Sequence, residues 1–332
     1  MQLAALGEFG LINRISPLFR SLIPEGVEGI GDDCAIIPIS ETESLVVTTD
    51  LLVEDVHFLR NVMPAYDIGW KSLAVNLSDV AAMGATPVGT FLSIGLPSDI
   101  SVEWTDSFFE GLHSLSAQHN VPLLGGDTTR SPEKIVINIT VVGKAPSNSI
   151  KRRSAAKLGD IVATTGFLGN SAAGLWHLLN NSTKNESTAM LIEEHFRPKP
   201  YLHEGQWLAN QKGVNAMMDI SDGISSDLRH ILKASNLGAC VEMSQLPISP
   251  ILKSLANSYP WDILNFATSG GEDYCLLVTI ARENFPSVAS KYYEMFNHPL
   301  SAIGEIQCGP PEIEWKRNGI TIELLERGFQ HF

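Results

Sequence analysis

Six short acidic clusters, each set among glycine, serine or threonine, are distributed along the chain. Most of them follow an apolar run, at the end of a predicted element, where a carboxylate can point into a shared cleft. A single aspartate beside a glycine is an ordinary turn, but six such clusters favour metal-dependent phosphate chemistry. Oxygen ligands suit Mg²⁺, which also binds substrate phosphates. The clusters are Gly31-Asp32-Asp33, Thr48-Thr49-Asp50, Leu77-Ser78-Asp79, Gly125-Gly126-Asp127, Asp219-Ile220-Ser221-Asp222-Gly223 and Gly270-Gly271-Glu272-Asp273.

The chain lacks the sequence motifs that bind phosphates directly. No Gly-x-x-x-x-Gly-Lys-Ser/Thr phosphate loop occurs in it. Gly29-Ile30-Gly31 begins like a dinucleotide fingerprint, but the third glycine is missing and Asp32 and Asp33 would face the pyrophosphate. We therefore expect phosphates to be held through metal ions.

Composition narrows the class of protein. The length of 332 residues suggests two domains, and 44% hydrophobic residues can build substantial cores. A net charge of -14 argues against nucleic acid and anionic membranes as partners. The N-terminus lacks a signal-peptide pattern and no apolar run reaches membrane-spanning length, so we expect a cytoplasmic location. The scattered cysteines predict neither disulfides nor zinc, and we expect all four to be buried as small hydrophobes: Cys34, Cys240, Cys275 and Cys308.

In the first half, apolar patterns place the acidic clusters at the ends of elements. Residues 44–50 predict a strand with Thr48 and Asp50 on one face. Residues 67–83 predict a helix, with Asp67 as N-cap and Gly84 as its stop. The polar face of this helix lies opposite its apolar face and consists of Ser72, Asn76 and Asp79. This polar face is either solvated or functional. A turn is expected at 125–130, where paired glycines let a ligand approach the backbone, and a strand at 135–143.

In the second half the same mixture of strands and helices recurs. The stretch 145–157 predicts a connection whose Lys151, Arg152 and Arg153 are either solvated or face a phosphate. Further strands are expected at 160–165, 217–220, 238–243 and 273–280. Helices are expected at 171–180 and from Asp222 to Ile231.

An ordered series of motifs resembles one family, thiamine-monophosphate kinase, in the superfamily of aminoimidazole ribonucleotide synthetase and selenophosphate synthetase. The resemblance runs from Gly7-Glu8-Phe9 almost to the C-terminus. Its motifs are GIGDDCAII (29–37), TTDLLVEDVHF (48–58), KSLAVNLSDVAAMGATP (71–87), GGDTTR (125–130), RRSAAKLGD (152–160), DISDG (219–223), SGGEDY (269–274) and GFQHF (328–332).

The resemblance implies a two-domain α/β fold of the α+β type, with mixed sheets. Residues 1–146 would bind ATP and Mg²⁺ and pair with a second copy into a barrel-like dimer core. Residues 147–332 would form an α/β sandwich that completes the active site. The implied reaction transfers the γ-phosphoryl group of ATP to thiamine monophosphate, giving thiamine diphosphate. No general base is expected, because the acceptor phosphate is already largely ionised at neutral pH.

The resemblance also implies roles for particular residues. His57 and Glu272, each of which could equally be an ordinary surface, packed or turn residue, become substrate contacts together with Phe329. Nucleotide contacts fall on Gly126, Asp127, Arg153 and Ser221. Ligands for several Mg²⁺ ions fall on Asp33, Thr48, Thr49, Asp50, Asp79, Asp127, Asp219 and Asp222.

Three other functions remain open from the sequence. Another ATP-using synthetase of the superfamily is one, although selenophosphate synthesis is disfavoured because the first cysteine is Cys34. A nucleotide- or thiamine-sensing protein without catalysis is the second. A general phosphohydrolase, which would transfer phosphate to water, is the third.

Overall fold

The β-branched runs of the first half form a five-stranded mixed sheet with the order β1-β2-β5-β3-β4. The protein is described here from a computed structural model, which covers residues 6–180 and 185–324. In this sheet β3 and β4 are parallel and the other neighbours are antiparallel. The elements are α1 (Glu8–Arg20), β1 (Ala35–Pro38), β2 (Glu43–Val53), α2 (Ala65–Ala82), β3 (Thr86–Leu96), α3 (Val102–His119), β4 (Leu123–Arg130) and β5 (Val136–Pro146).

The second half forms a seven-stranded mixed sheet with the order β12-β11-β8-β10-β6-β9-β7, in which β8 and β11 are parallel. It begins after the domain boundary that we propose at residue 146. The strands are β6 (Ile161–Thr164), β7 (Val214–Asp219), β8 (Gly238–Glu242), β9 (Leu276–Ile280), β10 (Ser301–Gln307), β11 (Ile313–Arg317) and β12 (Ile320–Ile322). The helices are α4 (Asn170–Leu179), α5 (Glu186–Phe196), α6 (Leu202–Ala209), α7 (Ile224–Ser235), α8 (Pro250–Leu255), α9 (Ile263–Ser269) and α10 (Phe285–Phe296). The α/β class with two mixed sheets is confirmed.

Helix α2 is the central element, because it is buried almost all round. It begins after Pro64, so the prediction of Asp67 as N-cap was wrong; Asp67 instead pairs with Arg197 from the second half. The helix ends just before Gly84, whose φ of +69° suits a glycine. Its predicted polar face is not solvated, since Ser72 and Asn76 are buried and bond to backbone carbonyls within the helix.

Two further expectations were wrong. Residues 125–130 belong to strand β4 rather than to a turn, because their backbone pairs with β3. A Cβ on Gly126 would lie 1.7 Å from the Leu92 carbonyl oxygen, so this glycine permits contact with the neighbouring strand. Cys34 and Cys275 are buried as predicted, but Cys240 is only partly buried and Cys308 is exposed.

None of the described helices is long and apolar enough to cross a membrane.

The two halves share one apolar core around α2. Leu77 of this helix lies in the same buried cluster as Met217 of β7 and Tyr274. The backbone of α6 also touches α2, since a Cβ on Gly205 would lie 2.2 Å from the Ala81 carbonyl oxygen. Side chains projecting from α2 therefore reach the junction between the halves.

Close packing of α2 against α3 should make Gly69 intolerant of even a methyl group. A Cβ there would lie 2.0 Å from the Phe108 carbonyl oxygen. We expect Gly69→Ala to lower the free energy of unfolding by about 1–3 kcal/mol, although alanine is the better helix former by about 1 kcal/mol. Urea denaturation measures the difference. Gly10→Ala in helix α1 is the control, since the three described atoms nearest to its Cβ all belong to the flexible Leu6 side chain; equal stability changes in the two variants would contradict this packing argument.

Candidate active site

The loop before β1 places Asp32 and Asp33 against a half-buried arginine. The Arg153 guanidinium donates to the Asp33 carboxylate, and the Arg153 backbone N–H donates to Asp32 Oδ2 at 3.1 Å. Arg153 begins a short 3₁₀ turn within the connection between the halves. Of the two alternatives for this arginine, the solvated one is therefore wrong.

Strand β2 and helix α2 contribute the second part of the site. Strand alternation directs Thr48 towards α2, where its hydroxyl donates to the Asp79 carboxylate. Two residues on, the Asp50 backbone N–H donates to Asn76 Oδ1 at 3.0 Å. The polar face of α2 is therefore directed at Thr48 and Asp50 of β2.

The third part comes from the second half of the chain. Asp219 is the last residue of β7, and its Oδ2 accepts from the Ser78 hydroxyl at 2.7 Å. Ser78 precedes Asp79 on α2, so one helix positions carboxylates from both halves.

Carboxylate oxygens of Asp33, Asp79 and Asp219 lie within 4.8 Å of one another, and we call these residues the aspartate cluster. Burial and repulsion from Asp33 raise the pKa of Asp219 to about 7 and that of Asp50 to about 6. Burial, then the charges of Asp50 and Asp219, raise the pKa of Asp79 well above its usual range. Such crowding disfavours ionisation unless a cation is bound.

The aspartate cluster fits a divalent metal ion. Its ligands are all oxygens, as Mg²⁺ prefers. In addition, Asp33 Oδ2 is buried without a hydrogen-bond partner among the described residues. A buried acceptor of this kind is costly unless another group, such as a metal ion, satisfies it.

Two predicted metal ligands lie on the opposite face of the first sheet. Thr49 accepts from Asn138 Nδ2 at 2.9 Å, away from α2. Asp127 is exposed on β4 and shares this face, because the pairing register aligns it with Ser93 and Asn138. Neither residue belongs to the aspartate cluster, and their predicted roles remain proposals.

The segment DISDG (219–223) begins at Asp219 of the aspartate cluster and continues past the end of β7. The Asp222 backbone N–H donates to Asp227 Oδ2 at 3.2 Å, and the Ser221 carbonyl accepts from the Glu272 N–H at 2.7 Å. Burial, then the nearby Asp222 and Asp219 charges, raise the pKa of Asp227 well above its usual range. The hydrogen bond between the Glu272 N–H and the Ser221 carbonyl links the predicted substrate residue Glu272 to the predicted nucleotide residue Ser221. The sequence analysis did not identify Asp227 as a site residue.

The predicted substrate residues are placed as follows. His57 follows β2, and its Nδ1 accepts from the Val53 N–H at 3.0 Å, so its proton is on Nε2. Glu272 contacts Lys71 at 2.8 Å and His195 Nδ1 at 3.1 Å. Burial raises the pKa of Glu272, but Lys71 and His195 outweigh it and lower that pKa to about 2. Phe329 lies outside the described residues.

Sequence comparison identifies two family domains. Residues 31–145 match the AIR synthase related protein N-terminal domain, and residues 157–315 match the corresponding C-terminal domain. The chain is 39% identical over 330 residues to thiamine-monophosphate kinase of Escherichia coli K12, covering 99% of each sequence. It is 38% identical over 330 residues to the enzyme of Salmonella typhimurium, again covering 99% of each. The chain belongs to the thiamine-monophosphate kinase family.

Solved structures agree with this assignment. The structure of AaThiL complexed with AMPPCP and TMP has a TM-score of 0.86 and 34% identity, covering 100% of this chain and 99% of that one. Thiamine-monophosphate kinase of Stenotrophomonas maltophilia K279a has a TM-score of 0.77 and 37% identity, covering 94% and 97%. The predicted family is therefore confirmed, and with it the prediction of an enzyme.

Magnesium should stabilise the folded protein through the aspartate cluster. We expect saturating Mg²⁺ to raise the Tm by about 5 °C or more, because only the folded chain brings these oxygens together. Asp79→Asn should keep or raise the Tm in chelator, since it removes a repelled charge, and should lose most of the magnesium response. Differential scanning calorimetry measures both effects. Asp160→Asn is the control, because this buried carboxylate bonds Asn215 outside the cluster; loss of the response there, or its retention in Asp79→Asn, would refute the assignment.

Proposed function

We propose that the protein transfers the γ-phosphoryl group of ATP to thiamine monophosphate, giving thiamine diphosphate and ADP in thiamine diphosphate biosynthesis. One observation carries this proposal. Carboxylates of Asp33, Asp79 and Asp219 converge from both halves of the chain, and Asp33 Oδ2 is buried without a hydrogen-bond partner among the described residues. The names of the relatives supply the substrate.

The proposed mechanism consists of positioning and charge neutralisation. Asp33, Asp50, Asp79 and Asp219 would hold Mg²⁺ ions, with Thr48 and Asp222 beside them. Bound magnesium supplies positive charge between two phosphates that repel each other. No residue needs to act as a general base, because the acceptor phosphate, with a second pKa of about 6, is already largely a dianion at neutral pH.

The remaining roles follow the family. We assign nucleotide contacts to Gly126, Asp127, Arg153 and Ser221, and substrate contacts to His57, Glu272 and Phe329. Arg153 is held beside Asp33, where its guanidinium neutralises part of the acidic charge. Thr49 and Asp127 are proposed as further metal ligands, on the open face of the first sheet. The cytoplasmic location also remains a prediction.

A phosphoryl-transfer assay with purified protein tests the proposal. ATP and Mg²⁺ are supplied with thiamine monophosphate, with thiamine, or with neither, and the products are separated by chromatography. We expect thiamine diphosphate and ADP in equal amounts, only with thiamine monophosphate and only with magnesium. Inorganic phosphate as the main product would indicate a phosphohydrolase. No ADP would indicate a sensor or a synthetase with another acceptor, and would contradict the proposal.

Removing one member of the aspartate cluster should abolish turnover without unfolding the protein. For Asp79→Ala we expect kcat/KM to fall by about three orders of magnitude or more, because the transition-state charge loses its metal. Circular dichroism verifies the fold. Asp160→Ala serves as the control for loss of a buried carboxylate. Near-normal turnover in Asp79→Ala would show that metal binding does not depend on this residue.

We also propose that the open face of the first sheet pairs with a second copy of the chain. Leu51 is 52% exposed, Phe91 42% and Leu124 57%. The pairing registers put Leu51 and Phe91 on the face opposite α2. Several large apolar side chains exposed together on one sheet face are unfavourable in water and are typical of an interface.

Light scattering with size-exclusion chromatography tests the dimer. The wild-type protein is expected at twice the mass of the 36.1 kDa chain. Phe91→Asp should give a monomer, because a charge at the centre of an apolar interface is costly. Ile320→Asp, at an exposed apolar position in the second sheet (71% exposed), should leave the dimer intact. A monomeric wild type, or a dimeric Phe91→Asp variant, would contradict this assignment.

A further inference from the structure

Two buried polar side chains that lie outside the aspartate cluster contact the Glu272 carboxylate. Glu272 is held between Lys71 of α2 and His195 of α5, and we call these three residues the Glu272 clamp. The residues come from three separate parts of the sequence. Lys71 and His195 have no role in the mechanism described above, so the clamp requires an explanation of its own.

Lys71 is the buried cation of the clamp. Its side chain is 1% exposed, and its Nζ lies 2.8 Å from both Oε1 and Oε2 of Glu272. A buried ammonium group is tolerated only when it is paired with an opposite charge. Lys71 therefore fixes the carboxylate from one side and keeps it ionised.

His195 holds the carboxylate from the other side. Its Nδ1 lies 3.1 Å from Glu272 Oε2 and 2.9 Å from the Ser171 hydroxyl. An ionised carboxylate only accepts hydrogen bonds, so Nδ1 carries a proton. Serine and glutamate contact the same ring nitrogen, whereas a hydrolytic triad places them on opposite nitrogens. The arrangement therefore serves to orient Glu272 and not to activate Ser171.

The exposed member of the clamp is the carboxylate itself. The Glu272 side chain is 25% exposed, while those of Lys71 and His195 are 1% and 7% exposed. A carboxylate offers about four acceptor sites, and the two partners leave some of them unused. Because Glu272 is the most exposed of the three clamp side chains, its carboxylate is the group that a ligand can reach.

The backbone at Glu272 is also fixed in an unusual conformation. Its φ is +64°, a region that residues with a side chain rarely adopt. The Glu272 N–H donates to the Ser221 carbonyl at 2.7 Å, and Asp273 accepts from the Gly169 N–H at 2.8 Å. Strained conformations held by several contacts are typical of functional sites. The position of the Glu272 carboxylate is thus determined before a ligand binds.

We infer that Lys71 and His195 are positioning residues that hold the Glu272 carboxylate in place to accept from the amine-bearing, cationic organic part of the acceptor substrate. This inference rests on the proposed function and deepens it. Thiamine monophosphate carries an aminopyrimidine and a thiazolium cation, and both favour an ionised, preorganised acceptor. The low pKa of Glu272 agrees with this role.

Steady-state kinetics with both substrates varied tests the inference. We expect Lys71→Met to raise the KM for thiamine monophosphate about tenfold to a hundredfold, as for loss of a charge-assisted contact, with the KM for ATP within about twofold. In the Glu272→Gln background, Lys71→Met should add less than about twofold, because it acts through Glu272. His195→Asn, which keeps a side-chain amide donor, should show the same selectivity with a smaller effect.

The control is Lys199→Met, which removes a lysine paired with the buried Glu204 on α6 and should leave both KM values unchanged. An unchanged KM for thiamine monophosphate in Lys71→Met and His195→Asn would overturn the inference and leave the proposed function standing. So would effects that multiply in the double variant, or equal effects on both substrates. If the wild-type protein transfers no phosphate to thiamine monophosphate, both the inference and the proposed function are contradicted. If Lys71→Met fails to fold, His195→Asn alone and in the Glu272→Gln background decides.

Discussion

Repulsion among buried carboxylates is the constraint on which this structure depends. Asp33, Asp79 and Asp219 are brought within 4.8 Å of one another, from a loop, a helix and a strand end. Left alone, such a group opposes the fold that creates it, because burial and like charge both disfavour ionisation. Hydrogen bonds from Thr48 and Ser78 and the Arg153 guanidinium offset part of this cost. A divalent cation would offset the rest, and with it the charge of two phosphates.

Helix α2 connects the two halves of the molecule both mechanically and chemically. Its apolar residues pack into the core that both halves share. Its polar residues Lys71, Ser78 and Asp79 contact groups from other parts of the chain. Ser78 and Asp79 serve the aspartate cluster, and Lys71 serves Glu272. The proposed phosphate site and the proposed recognition site for the organic part of the substrate are therefore fixed by one rigid element. Rigid elements position functional groups better than loops do.

Local patterns predicted much of the fold and part of the site. Strand alternation predicted that Thr48 and Asp50 share one face, and the acidic clusters read from the sequence included all three members of the aspartate cluster. Lys71 was missed, because its partner Glu272 is 201 residues away and no local pattern joins them. The one available signal was a lysine in a helix that is otherwise largely apolar and small. Residues 125–130 were misread as a turn, since pairing with β3 outweighs the weak strand preference of two glycines.

Anomalous diffraction tests the central claim most directly. Crystals of the protein grown with Mn²⁺ in place of Mg²⁺ and a non-hydrolysable ATP analogue would be measured at the manganese edge. The account predicts anomalous peaks within coordination distance of the Asp33, Asp79 and Asp219 carboxylate oxygens, beside the nucleotide phosphates. Ordered nucleotide without manganese at these oxygens, or manganese bound only elsewhere, would contradict it.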